Sequence, residues 1–93
     1  MASITFEQFK LQLNGKKVLL VCDMHPMIMM RNATISFDKN DMFEIVGKNM
    51  EATFVGSAIE DIKKYIWTSP KKEKIVEYKF NTHNNNYFRI SLL

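Results

Sequence analysis

The residues best suited to chemistry stand together at the end of the first apolar segment, where Cys22 and Asp23 are followed by His25. A nucleophilic thiol needs a nearby base and an electropositive setting that lowers its pKa. A carboxylate beside the thiol raises its pKa instead. At the end of a buried strand Cys22 would be a small apolar side chain. The pattern favours packing over catalysis, and an enzyme using Cys22 or His25 is the third of three hypotheses.

The segment Met24–Met30 is the most unusual in composition, with four methionines and a histidine. Thioethers can bind Cu(I). They can also fill gaps in a core or form an adaptable surface that tolerates different partners. Core or loop packing is the commonest of these uses, and a contact surface comes second. We take Met27, Met29 and Met30 as the candidate partner-binding residues of this segment.

The sequence predicts no metal site and no cofactor. The chain has two histidines and one cysteine, and their spacing does not fit a zinc site. His83 stands in a loop of asparagines, where a solvated side chain is the usual outcome. The three glycines fall at expected caps and turns, and no glycine-rich phosphate-binding loop is present. We therefore expect a protein that is not an enzyme.

The net charge of +3 is concentrated in the C-terminal half. Residues 1–47 hold five basic and five acidic side chains, whereas residues 48–93 hold eight and five. Such an excess mainly steers association with acidic partners, and we expect Lys71, Lys72 and Lys74 to steer a protein partner. A nucleic-acid-binding patch is the alternative, although acidic residues are interleaved with its members. That patch would comprise Lys63, Lys64, Lys71, Lys72, Lys74, Lys79 and Arg89.

Local signals predict how these residues are positioned. Thr5 and Gln8 form a capping box for a helix over about 6–14, which Asn14-Gly15 would end. Lys17–Cys22 is a short apolar run, typical of a buried strand. For residues 27–31 the sequence does not distinguish a loop from the start of the next strand.

Three segments then alternate apolar and polar residues, which predicts a β-meander over 32–38, 42–46 and 50–55. The links between them, 38–41 and 47–49, are rich in residues that favour turns.

Ser57 and Glu60 resemble a second capping box, and Ile59, Ile62 and Ile66 follow at helical spacing. We therefore predict a helix over about 58–67. Two more strands, 75–81 and 87–93, complete the order α-β-β-β-β-α-β-β. The predicted class is α+β, with a mainly antiparallel sheet of about five to six strands and two helices packed on one face.

The length of 93 residues predicts one compact domain. No apolar run approaches a membrane span, and a single cysteine fits a reducing compartment, so we expect a cytoplasmic protein. The leading hypothesis is a small non-enzymatic protein-binding module, such as a phage or mobile-element inhibitor that occludes a host protein. Because Leu92-Leu93 leaves the last strand without a protective tail, a homodimer through an edge strand is a further prediction.

Overall fold

The computed structural model describes residues 2–23, 28–83 and 86–93. Within these ranges it contains one short α-helix, one 3₁₀ turn and a single antiparallel sheet of eight strands. In chain order the elements are β1 (Ala2–Ser3), α1 (Phe6–Leu13), β2 (Lys17–Cys22), β3 (Ile28–Phe37), β4 (Met42–Val46), β5 (Glu51–Val55), the 3₁₀ turn (Gly56–Ala58), β6 (Ile59–Thr68), β7 (Lys74–Thr82) and β8 (Tyr87–Leu92).

The strands lie in the order β1-β6-β7-β8-β2-β3-β4-β5. The final strand, β8, is paired on both sides, with β7 and with β2. The prediction that the last strand forms an unprotected edge is therefore wrong. Among the described strands, β1 and β5 stand at the two ends of the sheet.

The predicted first helix and its capping box are confirmed. The Thr5 hydroxyl accepts a hydrogen bond from the Gln8 N–H at 3.1 Å, and the Gln8 side chain accepts one from the Thr5 N–H at 2.9 Å. Both bonds satisfy N–H groups that a helix start leaves without partners. After the helix, Gly15 takes a φ of +78°, a left-handed conformation that glycine adopts without steric cost. No helix of the described residues has the length and apolar character to cross a membrane.

The predicted second helix over residues 58–67 is wrong, because this segment forms β6. Strand β1 was also absent from the prediction. The described chain is therefore mostly sheet, and the α+β class with two helices on one face of about five to six strands is overturned.

A β-bulge explains why β6 imitates a helix in sequence. The register of β6 against β7 shifts between Glu60 and Lys63, and Asp61 has a φ of 54°. A bulge adds one residue to one strand and displaces the side-chain alternation by one position. Ile59 and Ile62 therefore both enter the core at a spacing of three residues, which is also the spacing of one helix face.

The same device occurs in β3, which begins at Ile28 rather than at residue 32. Its register against β2 is irregular opposite Leu19, and Asn32 has a φ of 53°. Met30 and Ala33 both face the core as a result. The sequence left residues 27–31 as either loop or strand. Residues 28–31 form strand, and residue 27 lies outside the described ranges.

The sheet curls around α1. The Phe9 ring lies 5.6 Å from that of Phe43 on β4 and 5.8 Å from that of Phe80 on β7, measured between centroids. Phe54 on terminal strand β5 lies 4.9 Å from Phe88 on central strand β8. Such contacts between strands remote in the sheet order require strong curvature. The helix occupies the concave side, and we call the opposite side the outer face.

Candidate functional site

The outer face is unusually apolar at β2. Successive side chains of a strand point to opposite faces, so Val18 and Leu20 enter the core while Leu19 and Val21 point outward. Val21 is nevertheless only 6% exposed. A strand that is apolar on both faces is typical of a sheet covered on both sides, but α1 covers just one.

A shallow groove of about 520 Å³ lies over this apolar strand. We call it the outer groove. It brings together residues from β2, β3, β6, β7, β8 and the turn before β7, and its charged lining residues are Glu73, Lys74, Glu77 and Arg89. Its apolar lining includes Leu19, Val21, Met29, Trp67, Ile75 and Leu93. Trp67 is 45% exposed and Met29 is 42% exposed, so both present large apolar surface at the groove.

A row of cations continues the outer face beside the groove. Lys63 on β6 is directly opposite Lys79 on β7, which is directly opposite Arg89 on β8. The row then continues into the groove, since Arg89 is opposite Val21 and Val21 is opposite Met29. Like charges directly opposite one another on a sheet are destabilising. We call Lys63, Lys79 and Arg89 the cationic row.

Nearby groups offset part of this charge. Two nitrogens of Arg89, Nη2 and Nε, lie 3.3 and 3.2 Å from the two carboxylate oxygens of Asp23. Lys79 Nζ lies 3.8 Å from Glu77 Oε1 and 4.5 Å from the centroid of the Tyr65 ring. Such partly exposed pairs are weak, contributing about 0–1 kcal/mol each. Asp61 lies beside the row as well, so the three cations have three carboxylates nearby and much of their positive potential is offset.

The candidate methionines do not share a surface. Met29 is on the outer face and lines the groove. Met30 points to the concave side, is 5% exposed and belongs to the core, so its side chain is not available to a partner. Met27 lies outside the described residues, as do Met24 and His25.

The candidate lysines separate into three groups. Lys71 and Lys72 are exposed in the turn between β6 and β7, and Lys74, at the start of β7, lines the outer groove. Lys63 and Lys79 belong to the cationic row with Arg89. Lys64 points to the concave side, with its Nζ 5.7 Å from the centroid of the buried Tyr78 ring. The seven-residue basic patch is thus not continuous on one face.

The candidate nucleophile is buried. Cys22 is 4% exposed, and burial together with the neighbouring Asp23 carboxylate raises the pKa of its thiol. Both effects reduce the thiolate population, and the thiolate is the reactive form. In the described part of the chain, no three His, Cys, Asp or Glu side chains are placed to hold a metal ion. His83 Nε2 lies 3.9 Å from Glu60 Oε2, an exposed contact.

Sequence reasoning missed the aromatic and aliphatic part of the outer groove. The sequence prediction places Trp67 in a helix, and it describes Lys17–Cys22 only as a buried strand, without saying what covers Leu19 and Val21. The signal was present in Lys17–Cys22, whose continuous apolar run requires cover on two faces.

Comparisons of this chain with models of protein families, with curated proteins and with solved structures give no match. Function is therefore inferred from the chemistry of the outer face.

Proposed function

We propose that this protein is a small non-enzymatic binding module whose outer groove receives a segment of a partner protein. The observation that supports it most is the exposure of Trp67 and Met29 beside the apolar floor of Leu19 and Val21. Tryptophan dominates the energetics of many protein interfaces because its large apolar surface is desolvated in a pocket. Methionine adapts its shape to a partner.

The surrounding charge indicates an acidic partner. The cationic row lies at one side of the groove, and Lys74 lines its end next to the exposed turn that carries Lys71 and Lys72. Glu73 and Glu77 also line the groove, so around it six basic side chains face four carboxylates, with Asp23 and Asp61 counted beside the row. The remaining excess of positive charge accelerates encounter with an acidic segment and disfavours a basic one. The proposed occupant therefore carries carboxylates between apolar side chains. Occupying a surface of that partner would make the module an inhibitor by occlusion.

Nucleic-acid binding is the second candidate, and the cationic row is the observation that favours it. Adjacent cations across three strands could follow a phosphate backbone. Tyr87, which is 58% exposed and pairs with Asn81 two residues along β8 from Arg89, lies beside this row and could stack on a base. The separation of Lys64 from the row weakens this candidate relative to the first.

An experiment with two arms tests both candidate functions. In the first arm, a display library of random peptides is selected on the immobilised protein. We expect enriched peptides to combine acidic and apolar residues. Calorimetry should show that Trp67→Ala weakens their binding by roughly tenfold or more, as for an interface anchor. The matched control is Leu11→Ala on α1, which removes another exposed apolar side chain, 81% accessible, far from the groove. The Leu11→Ala variant should bind the enriched peptides with the same affinity as the wild type.

Fluorescent single strands of about 20 nucleotides form the second arm, measured by anisotropy at low and high salt. Peptides whose binding is indifferent to Trp67→Ala would contradict the groove as the contact site. Oligonucleotide binding that weakens steeply with salt, without acidic peptide enrichment, would replace the first candidate with the second.

A further inference from the structure

The end of β6 presents a backbone edge. Strand β1 has two residues and pairs with β6 at Lys63 and Lys64, whereas β6 continues to Thr68. On the other side, β7 pairs with β6 along this whole stretch, to Thr68. Among the described residues, no strand covers Ile66–Thr68 on the side away from β7.

Strand geometry shows which backbone groups point outward at this edge. The Ile4 N–H donates to the Ile62 carbonyl at 3.0 Å, so the backbone groups of Ile62 face β1 rather than β7. The direction of these groups alternates from residue to residue along an antiparallel strand. Ile66 and Thr68 therefore direct their N–H and C=O groups away from β7. An added strand would find its donors and acceptors there.

The side chains do not block this edge. Natural sheets protect edges with charged residues, proline or bulges, and none of these occurs within Ile66–Thr68. Ile66 is 57% exposed on the concave side and Trp67 is 45% exposed on the outer side. Trp67 also lines the outer groove. The edge is thus continuous with the groove, and one extended segment could use both.

Charge decides between possible occupants. In an antiparallel pair of β6 edges from two copies, the turn carrying Lys71 and Lys72 would approach Lys63 and Lys64 of the other copy. Like charges brought together in this way repel. An acidic segment would meet the same four lysines favourably.

We propose that Ile66–Thr68 binds an extended, acidic segment of the partner protein as an additional strand of the sheet. This inference rests on the proposed function and specifies the binding mode. Backbone hydrogen bonds would give the segment its register, while its alternate side chains would contact Trp67 on one face and Ile66 on the other.

The test measures binding of a short synthetic peptide in which glutamate and valine alternate. It compares two variants of the protein that differ only at residue 66. Ile66→Pro removes the outward N–H without removing a bond to β7, and edge strands tolerate proline at such positions. Ile66→Ala removes the side chain but keeps the N–H. We expect Ile66→Pro to bind roughly tenfold more weakly than Ile66→Ala, at the upper end of the contribution of one hydrogen bond. The amides of Ile66 and Thr68 should also exchange with solvent more slowly when the peptide is bound.

A peptide with N-methyl groups on its β6-facing nitrogens should bind the wild-type protein at least as weakly as the plain peptide binds Ile66→Pro. Equal binding of the plain and N-methylated peptides, with sensitivity to Trp67→Ala retained, would overturn strand addition while leaving the groove proposal intact. Plain peptide binding that depends on neither Ile66→Pro nor Trp67→Ala would contradict both. Amide protection that grows with protein concentration, without peptide, would overturn the acidic partner in favour of a second copy.

Discussion

The contact between α1 and the curled sheet gives the sharpest stability prediction. Phe9 is completely buried, and its ring lies within 5.6 to 5.8 Å of the rings of Phe37, Phe43, Tyr78 and Phe80, measured between centroids. These rings come from β3, β4 and β7. Phe9→Ala therefore removes the side chain through which one helix holds distant strands together.

The expected cost follows from the size of the cavity. Truncation of a buried phenylalanine costs about 3–5 kcal/mol, and aromatic pairs contribute about 0.5–1.5 kcal/mol beyond their buried area. A chain of this length has a free energy of unfolding of roughly 5–14 kcal/mol. We expect Phe9→Ala to lose about 4 kcal/mol, a large part of the total.

Urea unfolding followed by far-ultraviolet circular dichroism measures this loss. Leu11→Ala on the same helix is the control, since Leu11 is 81% exposed, and it should change stability by less than about 0.5 kcal/mol. If Phe9→Ala does not fold, Phe9→Leu should still cost about 1–2 kcal/mol. A cost for Phe9→Ala no larger than that for Leu11→Ala would refute the helix-centred core.

Further predictions concern the bulge, two buried titratable groups and one close approach. At Asp61, whose φ is 54°, substitution by Val should cost about 1–2 kcal/mol more than substitution by Gly, by urea unfolding, because a β-branched residue is strained there. Tyr78 is 1% exposed, and burial raises its pKa. Its contribution to stability is therefore present below the unfolded pKa of about 10 and is lost as pH rises further, so unfolding at pH 8 to 11 should show a steeper loss for wild type than for Tyr78→Phe. The Cys22 thiol should react with iodoacetamide at pH 8 much more slowly in the folded protein than in urea, because burial raises its pKa. Gly56→Ala should lose about 1–3 kcal/mol by urea unfolding, because an added Cβ would lie 2.5 Å from Asp41 Oδ1 and 2.6 Å from the tip of the Phe6 ring.

Each of these predictions has a contrary result. Equal stability of the Asp61 variants would argue against the bulge. If the free energy of unfolding changes with pH in the same way for wild type and for Tyr78→Phe, burial does not raise the pKa of Tyr78. Rapid alkylation of native Cys22 would place the thiol at the surface, and an unchanged Gly56→Ala would mean that the neighbouring side chains move without cost.

The sequence by itself determined the elements whose signals are local. The capping box of Thr5 and Gln8 specifies the start of α1 because its partners are three residues apart. The meander strands follow from clean alternation and from turn-forming links. Of the eight described strands, β2 was located from its continuous apolar run, and β3, β4, β5, β7 and β8 were also located, although β3 begins earlier than predicted, at Ile28.

Only the tertiary structure decided the nature of β6 and the composition of the outer face. The bulge at Asp61 is stabilised by pairing with β7, about 20 residues away in the chain. Without that pairing, Ile59 and Ile62 have the spacing of a helix face. Side chains alternate between the two faces along a strand, so residues adjacent in sequence are separated in the structure. Lys63 and Lys64 point to opposite faces, as do Met29 and Met30. The outer groove arises because long-range pairing sets Leu19, Met29 and Trp67 on one face, and no local pattern contains that information.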